Sequence, residues 1–313
     1  MRVFVAGATG VVGRQLLPLL VSTGHEVYAT TRSAAKVAAL RELGVRPVVL
    51  DLLDADQTKA AVVAAEPEAI VHQATALSGM TNNVRRVGQQ FAMTNRLRTV
   101  GTENLLAAAR IVGTRRFVAQ SFAGWPYAPT GGPVKHESDP LDPNPPKALR
   151  ETLRAIRRLE QLVGDTPGGV TLRYGGFYGP STSLDRDGPQ ISAIRKRQFP
   201  LVGDAGGVWS FLHIRDAATA TLAALSLGTG VYNVVDDEPA PVREWLPYLA
   251  EQLGARPPRH VPTWLARLIG GDVAVHLMTQ VRGASNERAR HELSWKPSVA
   301  SWREGFQEIV VAR

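Results

Sequence analysis

The first half of the chain alternates short apolar, β-branched runs with longer stretches whose apolar residues recur at helical spacing. Residues 3–6, 25–30, 47–50, 69–72 and 116–119 read as strands, and residues 10–22, 34–43, 57–64 and 95–112 as the helices between them. This alternation predicts a parallel sheet covered by helices on both faces and joined by right-handed crossovers. After Ser121 the rhythm breaks into a Pro- and Gly-rich loop, residues 125–147, followed by a helix over 148–163. Residues 170–173 and 231–235 add two further strands, while 179–213 and 238–285 are expected to form a smaller lobe over the carboxyl ends of the strands.

The junction of the first strand and first helix reads Gly7-Ala8-Thr9-Gly10-Val11-Val12-Gly13. Glycines there have a mechanical reading: Gly7 for a tight turn, Gly10 for close approach of backbone to a pyrophosphate, Gly13 for packing of helix on strand. Thr9, Val11 and Val12 complete a loop whose amides, with the helix dipole, face the phosphates. The alternative is a turn that binds nothing. The fold class expected is therefore α/β, a Rossmann-type doubly wound parallel sheet with a smaller C-terminal substrate-binding lobe. Residues 1–178 with 211–237 would form the dinucleotide-binding domain, and 179–210 with 238–313 the lobe.

NAD usually meets an acidic residue at the end of the second strand. Here the sequence is Thr30-Thr31-Arg32-Ser33, with Lys36 close behind. Arg32 suits a 2′-phosphate, so NADP(H) is expected over NAD(H), with a plain surface arginine as the alternative. Asp51, with Leu52 beside it, follows the third strand and is a candidate for the adenine side or a simple loop cap.

Composition narrows the function classes. The 313 residues, 44% hydrophobic and 20% charged, suit a soluble globular protein. The lack of cysteine removes disulfides and thiolate nucleophiles, and seven scattered histidines show no metal-ligand spacing, so no metal is expected. The +8 charge falls in short clusters such as Arg115-Arg116 and Arg195-Lys196-Arg197, without interleaved aromatics, which reads as solvated faces rather than a nucleic-acid surface. No apolar run approaches the roughly 20 residues that span a bilayer. A small-molecule substrate, no nucleic-acid or membrane partner and a cytoplasmic location are the expectations.

Further motifs follow in order: Val71-His72-Gln73-Ala74, Thr94-Asn95, Ser121, Phe177-Tyr178-Gly179-Pro180, His213-Ile214-Arg215-Asp216 and Leu293-Ser294-Trp295-Lys296-Pro297. With the glycine loop they give a chain that resembles the extended short-chain dehydrogenase/reductases, the NAD(P)-dependent epimerase/dehydratase group, from Gly7 to about Phe306. The resemblance implies that Gln73 and Ala74 lie under the cofactor, that Asn95 is the family's helix asparagine and binds the cofactor, and that Phe177 lies beside the nicotinamide. It implies a substrate-facing role for Ser121, a mainly structural one for His213, and a homodimer through the helices at 95–112 and 148–163.

One part of the family pattern is missing. The residues four places after the six tyrosines are Arg32, Gly131, Tyr178, Thr182, Asp236 and Gln252, so no Tyr-x-x-x-Lys pair exists. Matching Glu160 to the family glutamate leaves Thr152 and Ile156 in the catalytic places. Hydride delivery to a carbonyl makes an alkoxide that needs a proton. The candidates to supply or guide it are Ser121, Tyr127 and Tyr174, with water as the alternative. Trp209 stands where relatives acting on nucleotide sugars carry an arginine, which favours a smaller or more hydrophobic substrate, with Trp125, Tyr178 and Trp209 as its candidate contacts or as plain core. An NADP(H)-dependent oxidoreductase of a small organic substrate is the first expectation. A nonredox NADP(H)-binding regulator and an epimerase or dehydratase are the alternatives.

Overall fold

A computed structural model of the chain describes residues 1–81 and 83–311. β1 (Arg2–Ala6) carries four consecutive residues, Val3 to Ala6, with no exposed surface, the signature of a strand covered on both faces. α1 (Val11–Ser22) follows and turns Val12, Leu16, Leu17 and Leu20 inward at helical spacing. The unit repeats through β2 (Glu26–Thr31), α2 (Val37–Glu42), β3 (Arg46–Val49), α3 (Ala55–Ala65) and β4 (Ala69–His72). A long helix, α4 over residues 87–112, leads to β5 (Arg116–Phe122), and α5 (Arg150–Gly164) leads to β6 (Gly169–Tyr174). After α6 (Pro189–Arg195) and α7 (Ile214–Ala223), β7 (Gly230–Val234) completes the sheet.

All seven strands are parallel, in the order 3-2-1-4-5-6-7. The Rossmann-type doubly wound arrangement read from the alternation is what forms. Strand order reverses between β1 and β4, so their carboxyl ends open the crevice where such sheets bind ligands. One face is covered by α1 and α7 through Leu16, Leu20, Ala217 and Ala220, the other by α3, α4 and α5 through Val62, Leu105, Leu106 and Leu159. A separate aromatic core of Phe211, Trp245, Trp302 and Phe306 holds the smaller lobe, which includes α8 (Val242–Gln252), α9 (Thr263–Thr279) and, beyond α10 (Glu287–Glu292), α11 (Trp302–Val311). No helix among the described residues is long and apolar enough to cross a membrane.

Three features differ from the pattern reading. α4 starts at Val87 rather than Asn95, because its first turns bury little of their own and are held by contact with the chain before α5, where Gly88 lies against the Ala148 carbonyl. Within α4, Leu97–Gly101 is a turn of π-helix. Finally, Ala289, Leu293 and Trp295 pack into the core under α1 and α7 rather than into the lobe.

Asp236, just past β7, is 1% exposed, and its Oδ2 has no hydrogen-bond partner among the described residues. Burial raises its pKa well above the ordinary carboxylate value. The Glu238 and Trp302 amides oppose this, and the Glu238 and Asp237 carboxylates reinforce it. A raised folded-state pKa means stability that is present below the unfolded value of about 3.9 and lost as pH rises through the folded value. Asp236→Asn keeps the shape and removes the ionisation. It is expected to stabilise the fold by about 1 kcal/mol at pH 8 and by little at pH 4, read by thermal unfolding at the two pH values.

Candidate active site

The glycine loop sits at the β1/β4 crevice. Gly7 has φ +87°, and a Cβ there would lie 2.6 Å from the Gln73 carbonyl and the Ala74 nitrogen, so only glycine lets the two strand ends meet. At Gly13 a Cβ would fall 2.3 Å from the Ala8 oxygen. Gly10 is different: a Cβ would meet only the Gly7 oxygen, at 3.2 Å, and the space beyond it is open. α1 begins there without a side-chain cap or an acidic residue in its first turn. The Val11, Val12 and Gly13 amides are thus left for an anion, beside the half-buried Thr9, whose carbonyl accepts from Arg14 Nε at 3.3 Å. This open cradle fits a dinucleotide pyrophosphate.

Thr30 Oγ1 accepts from the Gly7 amide at 3.2 Å, tying β2 to the loop. Arg32 and Lys36 beyond it are exposed, with no hydrogen-bond or ion-pair partner among the described residues. Asp51 is exposed and caps the Leu53 amide at 3.0 Å, while Leu52 is buried and its carbonyl accepts from Asn104 Nδ2 at 2.9 Å. Asp51 therefore has the cap as its observed role.

The tyrosines expected as acids do not reach the cleft. Tyr174 is 1% exposed, and its hydroxyl lies 2.9 Å from Gln73 Nε2, which donates to it, and 2.7 Å from Thr221 Oγ1 on α7. Burial pushes it up to about 12, with those hydrogen bonds opposing. Tyr127 is equally buried. Its hydroxyl donates to Asn233 Oδ1 at 2.6 Å and accepts from Arg173 Nη1 at 2.8 Å. Burial raises its pKa too, against the nearby Arg173 charge. Both are corrections to the expectation of a substrate-facing tyrosine: Tyr174, at the end of β6, turns into the packed face of the sheet, and Tyr127, in the loop after β5, is drawn inward by Arg173 and Asn233.

Ser121, at the end of β5, is also engaged: its Oγ donates to Glu160 Oε1 at 2.8 Å. Glu160 in turn holds Arg173 through Nε at 2.8 Å and Nη2 at 2.6 Å, with the two side chains only 10% and 6% exposed. Burial works against the Arg173 charge, but the Glu160 carboxylate outweighs it and holds the guanidinium above its ordinary value. The result is a buried chain Ser121–Glu160–Arg173–Tyr127–Asn233 crossing from α5 to β7. On α5 itself, Thr152 and Ile156 have no exposed surface, and Asn95 Nδ2 donates to Thr152 Oγ1 at 3.2 Å.

The substrate candidates divide. Trp125 packs near Phe122, with ring centroids 6.5 Å apart. Both belong to an apolar cluster that includes Phe91 of α4, Val273 and Leu277 of α9, and Trp209. That cluster joins the nucleotide domain to the lobe. Trp209 also packs against Trp245, with ring centroids 5.0 Å apart and planes tilted by 42°, and donates its Nε1–H to the Leu277 carbonyl at 2.8 Å, so it serves the lobe core as well. Tyr178 is a correction: it has no exposed surface and is enclosed by His213 and by Phe306 of α11. Phe177 is half-buried against Tyr174. His213 Nδ1 accepts from the Arg215 amide and caps α7.

The sequence matches the NAD dependent epimerase/dehydratase family over residues 3–234. The chain belongs to that family. A 3-diazoavenalumate denitrifying reductase from a Streptomyces species is 46% identical over 309 residues, covering 98% of this chain and 99% of its own. A 4-hydroxy-2-methyl-3-oxo-4-farnesyl-3,4-dihydroquinoline-1-oxide ketoreductase from Stigmatella aurantiaca is 29% identical, covering 94% and 92%. The fold matches the UDP-glucose 4-epimerase of Thermotoga maritima, solved with UDP-glucose, at TM-score 0.77 and 21% identity over 99% of this chain and 97% of that one. It matches the Thermus thermophilus UDP-glucose 4-epimerase, solved with NAD, at TM-score 0.73 and 26% identity over 99% and 98%. Family and reductase relatives together place this epimerase/dehydratase member among the NAD(P)-dependent oxidoreductases.

Three residues of this family member escaped the sequence reading. Arg173 carried a signal, since a charged residue inside an apolar strand needs a partner. Arg98 and Phe122 carried none.

Proposed function

We propose that the chain is an NADP(H)-dependent reductase of a small aromatic substrate, of a kind that accepts hydride without needing a proton from the protein. The observation behind this reading is the state of the hydroxyls near the carboxyl ends of the strands. Ser121, Tyr127 and Tyr174 all have their hydroxyls committed to internal partners, and Thr152 and Ile156 fill the places of the family acid and its lysine. A bound nicotinamide supplies a hydride. The glycine loop would hold the pyrophosphate, Arg32 the 2′-phosphate, and the cluster around Phe122 and Trp125 an apolar ring.

The 46% identical relative is named for removing nitrogen from a diazo substrate. Replacing an aryl diazonium group by hydrogen consumes one hydride and releases dinitrogen, and atoms and charge balance with no added proton. Such a substrate suits a site that has lost its acid. Epimerase chemistry, which must run oxidation and reduction in one site, suits it least.

The test is turnover of an aryl diazo acid with NADPH, following absorbance loss and dinitrogen release, beside a panel of ketones. Diazo reduction with slow or no ketone reduction is expected. Ketone reduction with no diazo turnover would overturn the substrate reading, and tight cofactor binding without any turnover would favour a regulatory protein. Tyr127→Phe and Tyr174→Phe are each expected to retain at least about half the wild-type kcat, because a group that takes no part in the transition state leaves the barrier unchanged. A hundredfold loss in either would restore that tyrosine as the acid.

A further inference from the structure

Leu97–Gly101 forms one turn of π-helix inside an otherwise α-helical α4. Such bulges are rare and are frequent at functional sites. This one carries Arg98, which is 4% exposed. Its Nε and Nη1 are sealed from solvent without an acceptor, and its guanidinium has no hydrogen bond or ion pair among the described residues. Glu160 is near enough to interact with its charge but is already committed to Ser121 and Arg173. Burial pulls Arg98 down to about 10, with Glu160 opposing, so it stays charged at neutral pH. A buried cation with unused N–H groups is a cost that the Glu160 charge offsets only in part and no hydrogen bond among the described residues relieves.

Its surroundings put that cation at the ligand end of the sheet. His72, the last residue of β4, lies with Nε2 3.1 Å from the Leu97 carbonyl and so braces the bulge. One turn earlier, Asn95 bonds Thr152 on α5. Ser121, near the end of β5, shares the Glu160 carboxylate whose charge Arg98 feels. α4 thus delivers a guanidinium beside the stretch of α5 where Ile156 replaces the family lysine.

Resting on the reading of this site as a nicotinamide-dinucleotide site, we propose that Arg98 is a ligand-binding residue that takes over the position of a cation from the missing lysine. Its free N–H groups bind an oxygen acceptor that enters with the ligands. That acceptor is a hydroxyl of the cofactor or a carboxylate of an aromatic acid substrate, and the two sources separate experimentally.

Arg98→Met and Arg98→Lys are compared with wild type by melting temperature without ligand and by calorimetric titration. The titrants are NADP+ alone, NAD+ alone, and cinnamate in the presence of NADP+. No turnover is involved, so the result does not depend on the diazo reading. Arg98→Met is expected to melt no lower than wild type, since it removes an unpaired buried charge, while one Kd rises tenfold or more. A weaker NADP+ complex assigns the acceptor to the cofactor, and a weaker cinnamate complex alone assigns it to the substrate. Arg98→Lys is expected to recover most of the loss, and Arg98→Leu, titrated the same way with the same expected and overturning Kd values, answers the question if the methionine variant fails to fold. Kd values within threefold of wild type for both ligands overturn the proposal, whatever the melting temperature. A wild-type protein that binds neither NADP+ nor NAD+ overturns the cofactor reading itself, and this proposal with it.

Discussion

Glu160→Ala is expected to destabilise the fold by about 3–5 kcal/mol, seen as a lower midpoint in urea unfolding. The side chain it removes makes two hydrogen bonds to Arg173 and accepts a third from Ser121, with Arg173 only 6% exposed. Without it the Arg173 charge stays buried near the carboxyl end of β6, hydrogen-bonded to a tyrosine hydroxyl and to no carboxylate among the described residues. Breaking a buried pair is costly for this reason even though the intact pair adds little net stability. Removing both partners together, as Glu160→Met with Arg173→Met, is expected to cost less than the sum of the single changes, because neither charge is then stranded. Tyr127→Phe removes two hydrogen bonds of the same chain, to Asn233 and from Arg173, and is expected to cost about 1–3 kcal/mol. A Glu160→Ala variant within 1 kcal/mol of wild type would show that water replaces the carboxylate and that the chain is not a sealed network.

Arg32→Asp is expected to raise the Kd for NADPH by about ten- to a hundredfold, the equivalent of about 1.5–3 kcal/mol for a charge-assisted phosphate contact. It is expected to leave NADH binding equal or tighter, since a carboxylate at this strand end accepts from the ribose hydroxyls. The expectation rests on an exposed Arg32 without an internal partner, and on the absence of any carboxylate from Thr30 to Lys36. Fluorescence titration of the two reduced cofactors reads both numbers. An unchanged ratio would mean that the 2′-phosphate is held elsewhere.

How far the site was legible follows from the range of the forces that build it. Gly7 and Gly13 could be read because their need for space arises within a few residues or at one predictable strand crossing, and a Cβ at either would strike backbone. Tyr174 could be placed at a strand end from the sequence but not assigned a face. The face was settled by Gln73 and Thr221, which lie 101 and 47 residues away and meet its hydroxyl. The π turn in α4 has no composition of its own, and it became visible only with His72 and α5 packed against it.

The sequence by itself determined the alternation of strands and helices, the glycine loop and the lack of a Tyr-x-x-x-Lys pair. Periodicity, backbone sterics and the order of residues are local properties that no later packing revises. Tertiary structure decided which hydroxyls are spent inside the protein, which carboxylate holds Arg173, and that Arg98 is buried without a hydrogen-bond partner among the described residues. Those outcomes depend on partners from separate elements, and burial makes each polar group's energy hinge on whether a partner arrives.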